Sequence, residues 1–187
     1  SGRSLRYSAT IGGGVPILEL VDLLAANDTL LAVEGVLNGT CNFVLGQLGK
    51  GVPLADAVAE AQRLGFAEAD PSADIDGCDA ADKLAILVRH AFGVALHPDQ
   101  ISRESLSDLS AARIAAVNEQ GLVFKQVARC STTADGQVEA QVEIQALAPG
   151  HPLAGLVNEG NGALFELPAG RVGVFGKGAG RWPTAEA

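Results

Sequence analysis

The 187-residue sequence predicts an α+β fold, a mixed and largely antiparallel sheet with helices packed on it. Three observations carry that expectation. The first two-thirds of the chain holds several stretches in which apolar residues recur every three or four positions. Two long alternating strands with a short turn between them follow, and a second short hairpin pattern comes near the C-terminus. With 48% hydrophobic residues the chain can bury a sizeable core, and its length fits a single domain over residues 1–187.

In order, Leu5, Tyr7 and Ala9 alternate with polar neighbours as a short strand, which Gly12-Gly13-Gly14 breaks. Val15-Pro16 opens a helix with Ile17, Leu20, Val21 and Leu24 inward, Pro standing where a missing N–H costs nothing. Leu30 to Leu37 reads as a mostly apolar strand, covered on both faces or lying centrally. Asn38-Gly39 then turns the chain, and Thr40 is a reasonable N-cap for a helix from Asn42 to Leu48. Leu54, Ala57, Val58, Ala61 and Leu64 mark the next helix, and Ala80, Leu84, Leu87, Val88 and Ala91 another, from Gly77 to Gly93. An irregular connection begins at His97-Pro98, and a helix is expected over Ala111 to Gln120. Leu122–Cys130 and Val138–Leu147 form an antiparallel pair around Thr132–Gly136, with one face on the core. Ala163–Leu167 and Arg171–Phe175 form a further hairpin.

Composition narrows the function. A net charge of -9 and a pI near 4.7, with no clustered basic face, argue against a nucleic-acid partner. Cys41, Cys78 and Cys130 form no C-x-x-C pair and read as reduced thiols of a cytoplasmic protein. His90, His97 and His151 make no metal-ligand spacing with one another. No apolar run approaches the ~18 residues of a membrane span, and no basic-then-apolar leader opens the sequence. A soluble chain is expected.

The chemistry concentrates between Gly65 and Gly93. Glu68, Asp70, Asp74, Asp76, Asp79 and Asp82 precede a single lysine, Lys83, in a loop that feeds the helix. Asp74-Ile75-Asp76-Gly77 has the look of a calcium loop, but aligned on Gly77 the twelfth, bidentate position falls on Lys83, a cation. Asp79 and Lys83 lie one turn apart at the margin of the apolar stripe. On an anonymous helix that spacing is a surface pair worth about 0.2–0.5 kcal/mol.

The run Gly65-Phe66-Ala67-Glu68-Ala69-Asp70-Pro71, then Asp74, then Gly77-Cys78-Asp79-Ala80-Ala81-Asp82-Lys83-Leu84, resembles the catalytic-domain signature of the homoserine dehydrogenase family. The resemblance implies NAD(P)-dependent interconversion of L-aspartate 4-semialdehyde and L-homoserine, in threonine, methionine and isoleucine biosynthesis. It implies Lys83 as proton donor to the substrate carbonyl, with Glu68, Asp79 and Asp74 on the amino-acid substrate and Gly65 and Glu68 near the NADP or NAD cofactor. The chemistry of the residues agrees, since carboxylates suit an ammonium and a lysine suits a developing alkoxide.

Three further segments fit the same resemblance. Asn38-Gly39-Thr40-Cys41-Asn42 is similar to the family's Asn-Gly-Thr-x-Asn motif, which implies Gly39 near the nicotinamide and Thr40 near the substrate. Tyr7 to Pro16 is similar to the segment whose carbonyls, here those of Ser8, Ile11, Gly13 and Val15, hold a monovalent cation, Na+ or K+; Ser8 departs from the family's usual glutamate. Gly176 to Ala185 resembles the closing glycine-rich turn, with Gly180 the contact to the cofactor. Read only as sequence, each of the three is also a turn, a cap or a tail.

The likeness runs from about Tyr7 to Ala185, yet the G-x-G-x-x-G of a Rossmann unit is missing. The expectation is therefore a catalytic and dimerisation domain, homodimeric through the sheet, whose N-terminal nucleotide-binding domain is absent from this chain. A non-catalytic amino-acid-binding or dimerisation module, and a sister oxidoreductase acting on another small carbonyl, are the alternatives.

Overall fold

The structure, a computed structural model, describes residues 10–27 and 29–178. The strand read around Tyr7, the Ser8 carbonyl and the Gly180 contact lie outside those residues. The helices are α1 (Ile17–Asn27), α2 (Gly39–Leu48), α3 (Leu54–Arg63), α4 (Ser72–Ile75), α5 (Cys78–Phe92) and α6 (Ala111–Glu119). The strands are β1 (Ala32–Val36), β2 (Ser102–Arg103), β3 (Val123–Thr132), β4 (Val138–Leu147), β5 (Gly160–Leu167) and β6 (Gly170–Lys177).

The strands form one sheet in the order β2-β4-β3-β1-β5-β6. Every neighbouring pair is antiparallel except β2 with β4, so the sheet is mixed and largely antiparallel, as expected. The parallel member comes from the connection after His97, where the sequence reading placed no strand. Short, apolar β1 is the hub. Val33 sits opposite Cys130 of β3 on one side and Phe165 of β5 on the other, and all three are buried.

Helices α1 and α5 cover one face of this sheet. Ile17, Val21, Leu84, Leu87 and Val88 pack with Val33, Cys130, Ala163 and Phe165 in the main core. The α5 stripe is the one the periodicity predicted. Gly93 stops the helix in a left-handed conformation, φ 71°, its N–H closing on Arg89 O, as C-terminal glycines do. A second cluster joins α2 and α3 to Phe124 and Ile144 at one end of β3 and β4.

The far face departs from expectation. Residues 124–128 of β3 are all buried, whereas alternation in the sequence predicted one covered face. After β4 the chain folds back over the sheet in a 3-10 turn at Pro152–Gly155, setting Leu153 and Leu156 against Val36, Val127 and Leu164. Lys125 is thereby buried, its Nζ bonded to Asn42 Oδ1 at 2.7 Å and to the Leu156 carbonyl.

Candidate active site

At the C-terminal end of β1 the chain leaves the sheet through Leu37 and Asn38 and starts α2. Asn38 is the helix cap: its backbone is extended and its Oδ1 accepts the Cys41 N–H at 2.8 Å. This corrects the assignment of the cap to Thr40 and starts the helix at Gly39 rather than Asn42. An Asn two residues ahead outcompetes Thr, since its oxygen reaches the third amide and its amide group remains free to donate. Thr40 Oγ1 instead donates to Phe66 O at 2.6 Å, pinning the start of the carboxylate loop. Asn42 Nδ2 donates to Asn158 O and Gly160 O at 3.1 and 3.2 Å, tying α2 to the entry of β5.

The loop between α3 and α5 was read as irregular, and it contains the single-turn helix α4 with Ile75 buried beneath it. Gly77, at φ 75°, turns the chain into α5 and puts Asp79 in the first helical turn, where a negative charge is favoured. Lys83 stands one turn on. Its Nζ lies 2.7 Å from Asp79 Oδ2 and 3.0 Å from Leu37 O, and four-fifths of the side chain is shielded from solvent. Asn38 Nδ2 adds bonds of 2.6 Å to Asp74 Oδ1 and 2.7 Å to Asp79 Oδ2. An ammonium has three hydrogens, so the two acceptors leave Lys83 one for a ligand.

These groups line a cavity of about 350 Å³. Six residues singled out in the sequence meet there: Gly39, Thr40, Glu68, Asp74, Asp79 and Lys83. Gly65 does not; it ends the turn after α3 at φ 78°, exposed and away from the lining. Ile11, Gly13 and Val15 also stand outside the lining, although their loop abuts its wall. A Cβ on Gly13 would strike Gly178 O, and Gly178 lines the cavity. The Val15 carbonyl already accepts the Ile17 N–H at 2.7 Å.

Asn38, Glu159, Asn161 and Gly178 also line the cavity, and the sequence reading gave none of them a site role. Asn38 had a signal, as the first residue of the Asn-Gly-Thr motif. Asn161 is a polar residue in an apolar strand, and it precedes Ala163, where the hairpin pattern begins in the sequence; β5 itself begins at Gly160.

The cavity is acid-rich, and Lys83 is its one cation among the described lining residues. The Ser72 hydroxyl and amide hold Asp70 below the usual carboxylate range. Burial, reinforced by Asp74 and Asp79, pushes the Cys41 thiol well up, and Cys41 Sγ bonds the Asp74 carbonyl. That cysteine is a protonated structural donor, not a nucleophile. An ammonium held beside carboxylates in a partly closed cavity can bind a small amino acid and give or take a proton at its oxygen.

The homoserine dehydrogenase family model matches residues 16–187. The chain belongs to the homoserine dehydrogenase family. Homoserine dehydrogenase of Corynebacterium glutamicum is 39% identical over 189 residues, an overlap covering 98% of this chain and 42% of the relative. The NAD(+)-dependent homoserine dehydrogenase of Pseudomonas canavaninivorans is 36% identical, with 97% of this chain and 52% of the relative covered. The chain thus spans about half the length, or less, of these curated relatives. Among solved structures, a homoserine dehydrogenase from Thiobacillus denitrificans superposes with a TM-score of 0.89 at 33% identity, covering 96% of this chain and 42% of that one. The fold of this family member is therefore that of part of a homoserine dehydrogenase. Among the described residues no helix is long and apolar enough to cross a membrane.

Proposed function

We propose that this chain is the substrate-binding and dimerisation domain of an NAD(P)-dependent homoserine dehydrogenase, interconverting L-aspartate 4-semialdehyde and L-homoserine in the synthesis of threonine, methionine and isoleucine. The observation that carries the reading is Lys83, its ammonium held by Asp79 and the Leu37 carbonyl at the wall of an acid-rich cavity. Lys83 delivers its free hydrogen to the carbonyl oxygen during reduction and takes it back during oxidation. Glu68 and Asp74 attract the substrate ammonium, Asp79 orients Lys83 and the substrate, and Thr40, on the cavity wall, contacts the substrate.

The nicotinamide, NAD or NADP, supplies or accepts the hydride, and its main binding surface belongs to a nucleotide-binding domain outside this chain. Gly39, Gly65, Glu68 and Gly180 are the cofactor-side positions. Gly39 lines the cavity, and a Cβ on it would lie 3.3 Å from Glu159 Cα. Carbonyls of Ser8, Ile11, Gly13 and Val15 would hold Na+ or K+, since neutral hard oxygens suit an alkali ion. Val123 and Phe175, exposed on the sheet side away from the helices, support a homodimer through that face. Three unpaired cysteines suit the cytoplasm.

The test is nicotinamide-dependent reduction of aspartate semialdehyde by the full-length gene product and by its Lys83→Ala variant. Turnover should fall about 10²-fold or more. A folded variant with parental turnover would remove Lys83 from the acid's role, and an inactive parent that still binds homoserine would make the cavity a recognition site.

A further inference from the structure

Asn161 is 2% exposed and lies near the start of β5, on the sheet side that faces the helices. Its Nδ2 donates to Leu37 O at 3.2 Å. That bond fixes which way round the amide sits, because the flipped arrangement would set two oxygens against each other. Oδ1 consequently turns away from Leu37, and among the described residues it has no hydrogen-bond partner. Buried amide oxygens are rarely left so.

Three observations give the unpaired oxygen a use. Asn161 lines the same cavity as Lys83. Lys83 Nζ donates to the same Leu37 oxygen at 3.0 Å, so the two side chains hang from one anchor and sit within reach of one ligand. Gly178, just past the end of β6, packs its backbone against the amide, since any Cβ there would collide with Asn161 Cγ and Nδ2, and it lines the cavity as well.

We propose that Asn161 is a ligand-recognition residue whose Oδ1 accepts a hydrogen from an uncharged donor of the molecule bound beside Lys83. The other acceptors on the cavity wall include Glu68, Asp70, Asp74 and Asp79, which suit an ammonium. A buried neutral oxygen instead matches an uncharged O–H or N–H, which need not bring a charge out of water. Two such donors exist in the proposed reaction: the hydroxyl of the amino alcohol and the carboxamide of the nicotinamide. The assignment rests on the dehydrogenase reading for the identity of the ligand, not for the existence of the acceptor.

The experiment uses the full-length protein, comparing the parent with Asn161→Leu, which keeps the volume and removes both polar atoms. The KM of whichever ligand supplies the donor should rise about tenfold, with the KM of the other ligand and kcat changing little. A fall in kcat with both KM values unchanged would mean that Asn161 only buttresses the Leu37 carbonyl, and would overturn the proposal. Should the variant not fold, the parent is labelled with asparagine carrying ¹³C at Cγ, and homoserine, NAD+ and NADP+ are added in turn. A shift of the Asn161 signal with one of them identifies the donor, and silence with all three at saturation overturns the proposal. If the parent does not turn over homoserine yet its Asn161 signal moves with a nicotinamide, the substrate reading falls and the role of Asn161 stands. If the parent is active and neither the KM values nor the signal respond, Asn161 falls alone.

Discussion

Asn38 and Lys83 meet at a single oxygen: Asp79 Oδ2 lies 2.7 Å from the amide nitrogen of one and 2.7 Å from the ammonium of the other. The helix cap is therefore also the clamp that aims the cavity's carboxylates. Asn38 bonds Asp74 as well, so one side chain neutralises part of the repulsion between two acids from different elements.

Replacing Asn38 separates its two tasks. Asn38→Ala loses the cap and both carboxylate bonds, and should cost about 1–3 kcal/mol in urea unfolding. Asn38→Asp keeps a good cap but sets a third carboxylate against Asp74 and Asp79. It should be at least as destabilising as the alanine and lose more activity. An Asp variant as stable as the parent would show that the carboxylate contacts contribute nothing.

Thiol reactivity should divide by burial. Cys41 and Cys130 are fully buried, and burial pushes the Cys130 thiol up to about 12 and the Cys41 thiol well above its usual value. Cys78 is partly exposed. Ellman's reagent should react quickly with one thiol per folded chain, Cys78, and with all three only after denaturation. Fast labelling of Cys41 in the folded protein would contradict its place under the cavity.

Lys125 makes stability depend on pH in a predictable sense. Burial pushes its ammonium down to about 8, against ~10.4 in an unfolded chain. Between those values the unfolded chain holds more protons than the folded one, so this group's penalty is full below pH ~8 and is relieved as pH rises. Lys125→Met lacks that relief. From pH ~8 to ~10 the parent should gain about 2 kcal/mol on the variant in paired urea melts. A constant difference would place the Lys125 titration outside that window.

Two glycines test the crowding beside the cavity. Gly13 and Gly51 both have positive φ, 59° and 83°, but a Cβ on Gly51 meets nothing within 4 Å, whereas one on Gly13 runs into Gly178 O. Gly51→Ala should cost about 1 kcal/mol of backbone strain, and Gly13→Ala about 2 kcal/mol or more by thermal unfolding. Equal losses would argue against close packing of the glycine loop on Gly178.

Much of this was legible in the residues themselves. The α5 stripe and the Asp79–Lys83 pair depend on spacing within one helix, and spacing is a local property. Thr40 was mistaken for the cap because either residue can cap a helix, and only the path of the carboxylate loop shows that the Thr40 hydroxyl is taken by Phe66. Lys125 falls in a strand whose alternation predicts one covered face, and lysines are ordinarily solvated. Its burial comes from a segment some thirty residues later that folds back over it, and no local pattern announces that. Asn161 escaped for a similar reason: its distinction is the unpaired oxygen, which exists only once β5 lies beside β1.

The sequence by itself determined the α+β class, the antiparallel hairpins, the main helices and the concentration of acids ahead of one lysine, since periodicity, turn residues and charge are carried by neighbours along the chain. Only the tertiary structure decided that a later segment covers Lys125 and the middle of the far face, and that Asn38, Asn161 and Gly178 join Lys83 around one cavity. Those relations link residues far apart along the chain, as Asn161 and Leu37 are, 124 positions from one another. They arise from which apolar faces find one another in the core, and any one stretch of chain contains only half of each such contact.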